Sequence, residues 1–267
     1  MSKVGLAEIC GLYPWFDLLT PFHMDAVLYG NLRSIEERHW WFIGRRAIVR
    51  SLLDRFFGRR DGRILEAGCG TGGNLALLSR YGSLSGFEIE QAALDWAKSR
   101  GIGEIAWGAL PDDFPFEGRE FDLAVLLDVL EHIQDDEASL KVIHRHLAPD
   151  GQLMLTVPAL PSMWSRHDDT HHHFRRYTRK ELRRKLEAAG FTVELLSYYN
   201  FFLLPAAWLA RKMPRCRRKA DTTIGVEVPH SLLNRALGYS LSIENRLLRA
   251  LRLPVGLSLV AVARKMP

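Results

Sequence analysis

Apolar and polar positions along this chain fall into two alternating rhythms. Short apolar runs end at Ile64-Leu65 and recur over Phe191–Tyr199 and over Leu257–Ala263. Each has the length and composition of a buried strand. Between them the spacing turns helical. Asn74-Leu75-Ala76-Leu77-Leu78 follows a glycine turn, and Thr178-Arg179-Lys180-Glu181 has capping-box spacing before Leu182 and Leu186, with Gly190 as the stop. Upstream, residues 34–57 predict a helix with Ile43, Ala47, Ile48, Leu52 and Phe56 on its apolar face, broken by Gly58-Arg59-Arg60-Asp61-Gly62. Alternation of strand and helix periods predicts an α/β fold with a doubly wound, mostly parallel sheet. The chain reads as one domain over 1–267: an arm and helix over 1–57, a core over 58–200, an apolar and basic insertion or lid over 201–252, and a last strand over 253–267.

Length and composition narrow this reading. A chain of 267 residues with 47% hydrophobic content can bury one large core. Cys10, Cys69 and Cys216 are scattered without a C-x-x-C pair, which argues for a reducing compartment and against a cysteine zinc site. The start lacks a signal-peptide pattern, and no window reaches the roughly 20 apolar residues of a spanning helix. The expected location is therefore cytoplasmic. The net charge of +5 is uneven: residues 200–267 carry twelve Lys/Arg against three Asp/Glu, and the remainder 24 against 28. An acidic core argues against a fold built around nucleic acid. The sequence carries no signal for an oligomeric state.

The densest chemistry lies at Ile64-Leu65-Glu66-Ala67-Gly68-Cys69-Gly70-Thr71-Gly72-Gly73. A strand, a turn almost bare of side chains and a helix start bring backbone N–H groups to one point, where a polar cofactor can rest on the main chain. Glu66 places a carboxylate at the strand end, which suits a cationic or amine-bearing ligand. Gly68, Gly70 and Gly73 also satisfy G-x-G-x-x-G, with Glu88 twenty residues after Gly68, so a nicotinamide or flavin dinucleotide stays open as an alternative. Glu66 weighs against it, because its charge would face the phosphates.

In the residues Glu66-Ala67-Gly68-Cys69-Gly70-Thr71-Gly72 the chain resembles the class I S-adenosylmethionine-dependent methyltransferases, whose first motif is an acid, one residue, then G-x-G-x-G. Gly86-Phe87-Glu88-Ile89 is similar to the end of their second strand, Phe121 to Ile133 to their fourth strand and its loop, and Leu147-Ala148-Pro149-Asp150-Gly151 to the turn before their fifth. The resemblance covers roughly residues 40–200, and the stretch around His173-Phe174-Arg175-Arg176-Tyr177 is similar to one in quinone-biosynthesis and bacterial glycolipid-cluster methyltransferases of type 11. It implies a Rossmann-like, seven-stranded sheet with an antiparallel last strand, and S-adenosylmethionine as cofactor. It also implies that Glu66, Gly68, Cys69, Gly70 and Gly72 hold the amino-acid and ribose portions, that Glu88 takes the ribose hydroxyls, that Ile89 packs on adenine, that the Leu110 backbone serves its amino group, and that Asp128 lies near the methionine end. Cys69 reads as a small packing residue rather than a nucleophile.

Three further clusters complete the picture. Trp164-Ser165-Arg166-His167-Asp168-Asp169-Thr170-His171-His172-His173-Phe174-Arg175-Arg176-Tyr177 follows the fifth strand and should overhang the open end of the sheet. His167, His172 and His173 are the catalytic candidates, since histidine is the natural base near neutral pH, and Trp164, Arg176 and Tyr177 the acceptor-binding ones. A solvated polar lid is the competing reading. No metal ligand set is assigned to this loop. His39-Trp40-Trp41-Phe42-Ile43-Gly44-Arg45-Arg46 can close over a cofactor and pair its carboxylate, or simply pack on the sheet. Finally, Phe201 to Ala210 is apolar with Trp208, and residues 211–219 hold six cations, the composition of a peripheral contact with the inner face of a membrane, of a lid or of a dimer surface. The expectation is methyl transfer to a small or amphipathic, lipid-like acceptor, with no nucleic acid. A nucleic-acid methyltransferase, an NAD(P) oxidoreductase and a non-catalytic binding protein remain as alternatives.

Overall fold

The computed structural model describes Gly30, residues 33–212 and residues 228–266. The arm expected over 1–33 lies almost wholly outside these, as does the basic stretch 213–219. Helix α1 (Trp40–Phe56) leads into β1 (Gly62–Ala67), and the short α2 (Leu75–Leu78) follows the glycine turn. Then come β2 (Gly82–Glu88), α3 (Gln91–Ser99), β3 (Glu104–Trp107), β4 (Phe121–Leu127), α4 (Asp136–Arg145) and β5 (Leu147–Pro158). The chain continues through α5 (Arg166–Thr170), α6 (Arg179–Ala188), β6 (Phe191–Tyr199), α7 (Leu204–Lys212), α8 (Ser231–Leu248) and β7 (Ser258–Lys265).

The strands form one seven-stranded sheet in the order β3-β2-β1-β4-β5-β7-β6. β1 pairs in parallel with β2 and β4, and β7 runs antiparallel between β5 and β6. This is the doubly wound, Rossmann-like arrangement that the alternating rhythm and the resemblance predict. The central strands are buried along nearly their whole length because helices cover them. Leu123, Ala124, Val125 and Leu126 of β4, and Leu153, Met154, Leu155 and Val157 of β5, are all closed to solvent. The order reverses around β1, so the turns after β1 and β4 diverge and leave a crevice at the carboxyl ends of the strands.

Helix α1 exists as expected, but its buried face is Ile48, Val49, Leu52 and Leu53, with Gly44 and Arg45, while Ile43 is exposed. Helix α8 packs across α1, and that contact rotates the face. A Cβ at Gly44 would stand 2.4 Å from a Leu241 methyl, so the glycine is what lets the two helices approach. Within the insertion, Glu244 of α8 is buried and accepts hydrogen bonds from the backbone N–H groups of Asn200 and Phe202. That carboxylate closes the chain leaving β6 and fixes α8 to the sheet. The insertion is therefore anchored, with α7 and α8 both reaching the cleft through Ala207 and Leu237. Among the described residues no helix is long and apolar enough to cross a membrane.

Candidate functional site

A cleft of about 1690 Å³ opens at the carboxyl ends of β1, β2, β4 and β5. Single small-ligand sites are typically about 300–1,000 Å³, so this one has room for two ligands. Its floor is the glycine turn. Gly68 has φ +66°, and a Cβ there would meet the Val129 side chain at 2.8 Å. Gly70, at φ +55°, lines the cleft as well. Both therefore exclude other residues on backbone grounds.

Glu66 ends β1 with its carboxylate buried. Oε1 accepts from Asn74 Nδ2 at 2.9 Å, and Oε2 has no protein partner. Burial pushes its pKa up to about 7, against a smaller opposing pull from the Asn74 hydrogen bond and the Arg45 charge. Arg45, on α1, is the opposite case. Its guanidinium is ion-paired to Asp128, yet Nε is buried without a partner. Arg45 lines the cleft, whereas Glu66, closed off at the end of β1, does not; the orphaned acceptor and donor have the chemistry to complement the ammonium and carboxylate of an amino-acid moiety.

Asp128 is held in place from three sides. Its carboxylate takes Arg45 and the Thr156 hydroxyl, its N–H donates to the Thr156 carbonyl, and its backbone sits at φ +59°. A non-glycine residue held there marks a position the surroundings over-determine. Glu88 ends β2. Its carboxylate accepts from the N–H groups of Gly70, Ile89 and Glu90 at 2.8, 3.0 and 3.0 Å. A carboxylate offers about four lone-pair positions, so receiving two ribose hydroxyls requires one of these amides to let go. Cys69, Ile89 and Leu110 also line the cleft, and burial raises the Cys69 thiol well above its ordinary range, which makes it inert packing. Trp40, Trp41 and Phe42 form a further wall, with Trp41 stacked on Tyr199 at 5.7 Å.

The loop after β5 overhangs the cleft and brings His167, His171, His172 and His173 to it, joined by His132 from the turn after β4. Burial, with neighbouring imidazoles in support, pushes the pKa of His132 and of His167 down to about 3. Neither therefore titrates near neutral pH, so His167 does not fit the neutral-pH base expected of it. Asp168, missed as a site residue, organises the loop. It is fully buried, accepts from Arg176 Nε at 2.7 Å, from the Ser165 N–H at 2.8 Å, and pairs with His173 Nδ1 at 3.0 Å. The spacing of Ser165 and Asp168, a capping box, was its sequence signal.

Three expected contacts are corrected. Trp164 does not line the cleft; it is half-exposed and its indole N–H donates to Asp169. Tyr177 is a core residue whose hydroxyl donates to Asp136, packed away from the cleft beneath the loop. Gly72, at φ +81°, shapes the turn from behind, with its N–H on the Cys69 carbonyl, and does not face the cleft. Arg176 does reach it, but its guanidinium is committed to Asp168 and the Ala159 carbonyl. Glu131 and Arg45 in the cleft, and Asp168 buried within the loop, are the groups that local sequence did not single out as individual site residues.

The methyltransferase-domain profile matches residues 41–196. The chain belongs to that family, in its class I, S-adenosylmethionine-dependent form. A probable S-adenosylmethionine-dependent methyltransferase of Mycolicibacterium smegmatis is 27% identical over 168 residues, covering 61% of this chain and 64% of the relative. A ubiquinone biosynthesis O-methyltransferase of Pseudomonas aeruginosa is 28% identical over 115 residues, covering 39% and 48%. The chain thus spans about half to two thirds of the length of these relatives. Among solved structures, the methyltransferase in a complex with the Haloferax volcanii Trm112 activator superposes with a TM-score of 0.59 at 18% identity, over 91% of this chain and 96% of that one, which is a likeness of fold.

Proposed function

We propose that this protein transfers a methyl group from S-adenosylmethionine to a small or amphipathic acceptor bound in the same cleft. The carrying observation is two orphaned buried atoms, Glu66 Oε2 at the end of β1 just before the glycine turn and Arg45 Nε on the cleft wall. Bound there, the cofactor supplies an electrophilic methyl group together with its own leaving group. Glu66 would hold the ammonium, Arg45 the carboxylate, and Glu88 the ribose, while the bare backbone at Gly68 and Gly70 admits the cofactor's body. The remaining tasks of the chain are to align the acceptor, exclude water and, where needed, take a proton. The histidine loop and the anchored insertion enclose that acceptor half. The size of the cleft supports an acceptor bound inside it, as does the likeness to a ubiquinone biosynthesis O-methyltransferase.

Calorimetry with S-adenosylhomocysteine tests this. One site is expected, and Gly70→Arg should abolish binding while the cooperative thermal transition survives, because an arginine side chain would fill the turn. Undiminished affinity in that variant, or NAD(P) binding in place of S-adenosylhomocysteine, would end the reading.

For location, the insertion supports a peripheral membrane contact. Phe202, Trp208 and Leu209 stand half-exposed on or beside α7, and Leu232, Leu233 and Tyr239 are exposed on α8. Apolar side chains next to a basic stretch suit an anionic bilayer surface, each cation contributing about 1 kcal/mol there. Co-sedimentation with anionic vesicles should weaken in high salt and fall when Trp208 and Phe202 become Ser. Protein left in the supernatant at low salt makes the same face a lid or dimer surface instead.

A further inference from the structure

Glu131 is buried to 1% exposure, and its Oε2 has no hydrogen-bond partner. Glu244 shows what a satisfied buried carboxylate looks like here, with an amide on each oxygen. An unpartnered carboxylate oxygen is costly to bury unless a ligand completes it. Among the described residues, Glu131, His132 and His173 form a group whose potential ligand atoms all lie within 4.8 Å of one another. They come from two loops, the turn after β4 and the loop after β5. That explains why no ligand spacing was legible in the sequence.

The outer partner of His173 is that of a metal-ligating histidine. His173 Nδ1 lies 3.0 Å from Asp168 Oδ1, which favours the tautomer that leaves the Nε2 lone pair for a metal. Carboxylates and carbonyls in this position fix both the orientation and the basicity of a ligating imidazole. The His132 and His173 rings are 4.7 Å apart, edge to face. A tetrahedral ion with bonds of about 2.0–2.2 Å sets its ligand atoms about 3.3–3.5 Å apart. Side-chain rotation within two loops can supply the contraction of roughly 1 Å.

We propose that Glu131, His132 and His173 hold one divalent transition-metal ion at the acceptor side of the cleft. Two imidazoles and one carboxylate select a zinc-like ion over magnesium or calcium, which prefer all-oxygen sets. Three protein ligands leave a coordination position open, and it faces a cleft large enough to bring an acceptor oxygen to it. An ion there would bind that oxygen and acidify its hydroxyl. The metal site stands on its own geometry; only this last role rests on the methyl-transfer reading.

The test uses the whole protein, stripped with a chelator and titrated with Zn²⁺ by calorimetry and with Co²⁺ by visible absorption. One equivalent should bind, and Co²⁺ should show the intense bands of a low-coordinate imidazole and carboxylate site. Glu131→Gln and His173→Ala should each weaken binding at least about 10–100-fold, the effect already seen on losing an outer-shell partner. His230→Ala, at the exposed start of α8, should bind as the parent does. Thermal transitions establish that the variants fold. Should either not fold, the wild-type Co²⁺ spectrum decides alone. Absence of a one-equivalent Co²⁺ spectrum, or binding unchanged in folded Glu131→Gln and His173→Ala, overturns the proposal. Titration of S-adenosylhomocysteine without metal reports separately on the cofactor half, so either idea can fail without the other.

Discussion

Replacing Glu66 with glutamine is expected to stabilise the ligand-free protein above pH 7 and to weaken its hold on S-adenosylhomocysteine about 10–100-fold. The second effect is the loss of one charge-assisted hydrogen bond, about 1.5–3 kcal/mol. The first follows from linkage. The Glu66 carboxyl has its pKa raised by burial from 4.5 to about 7. A raised folded-state value means that folding favours the protonated form. The contribution of this group to stability is therefore complete below pH 4.5 and is lost as pH rises through about 7. The loss is on the order of 3 kcal/mol for a shift of this size. Glutamine stays neutral throughout, so the variant's advantage over the wild type should be absent at the acid end, grow across that window and then level off. Denaturant midpoints measured across pH would show it. Wild-type affinity for S-adenosylhomocysteine should also fall as pH drops below 7, by up to about tenfold per unit, whereas the variant's dependence is flatter. A variant no more stable than wild type above pH 7 would mean that the orphaned oxygen is solvated and the site is not built for an ammonium. The wild type tolerates the strain because binding relieves it, the usual tension between an active site and stability.

The fold was readable because its determinants are local and repeated. Apolar runs in β4 and β5 can only be buried strands, and Thr178 and Gly190 bracket α6 as their chemistry dictates. The glycine turn was readable for the same reason: Glu66, Gly68 and Gly70 are neighbours in sequence, and the positive φ at Gly68 and Gly70 is a demand visible one residue at a time. What sequence did not reveal depends on contacts between distant segments. Ile43 fits a helical apolar stripe, but α8 packs elsewhere on α1 and leaves it exposed. Tyr177 and Trp164 sit in a loop that reaches the cleft, yet their hydrogen bonds to Asp136 and Asp169 turn them away from it. Arg45 meets Asp128 across 83 residues, and Glu131 meets His173 only once two loops converge. No periodicity encodes such meetings. The histidines misled for an electrostatic reason: an imidazole counts as a neutral-pH base only where water can stabilise its cation, and at His167 burial removes that.

Asp168→Asn should be the most damaging single substitution in the loop, costing roughly 3–5 kcal/mol of stability at neutral pH. The residue is fully buried and joins three donors from different positions: the Ser165 N–H, Arg176 and His173. Burial alone would raise its carboxyl pKa, but the hydrogen bonds from His173 and Arg176 overcome this and hold it far below the ordinary carboxylate range. Asparagine keeps the shape while removing the charge. It also turns an N–H₂ toward the Ser165 N–H or toward Arg176, since one amide cannot accept on both sides. Arg176 would then stand buried beside an uncompensated site, and the loop would lose the contact that orients His173. Because the folded-state pKa is depressed, the stabilisation is present above the unfolded value of 3.8 and lost as pH falls below it. The gap between wild type and variant should therefore be full at neutral pH and close under acid. On the proposed reading, in which the loop covers the acceptor and Glu66 and Arg45 hold the cofactor, affinity for S-adenosylhomocysteine should change much less than turnover. Chemical denaturation at two pH values and one titration separate these effects. A variant within about 1 kcal/mol of wild type at neutral pH would show that the loop is held by its backbone bonds alone, and the carboxylate would then be free to serve the acceptor directly.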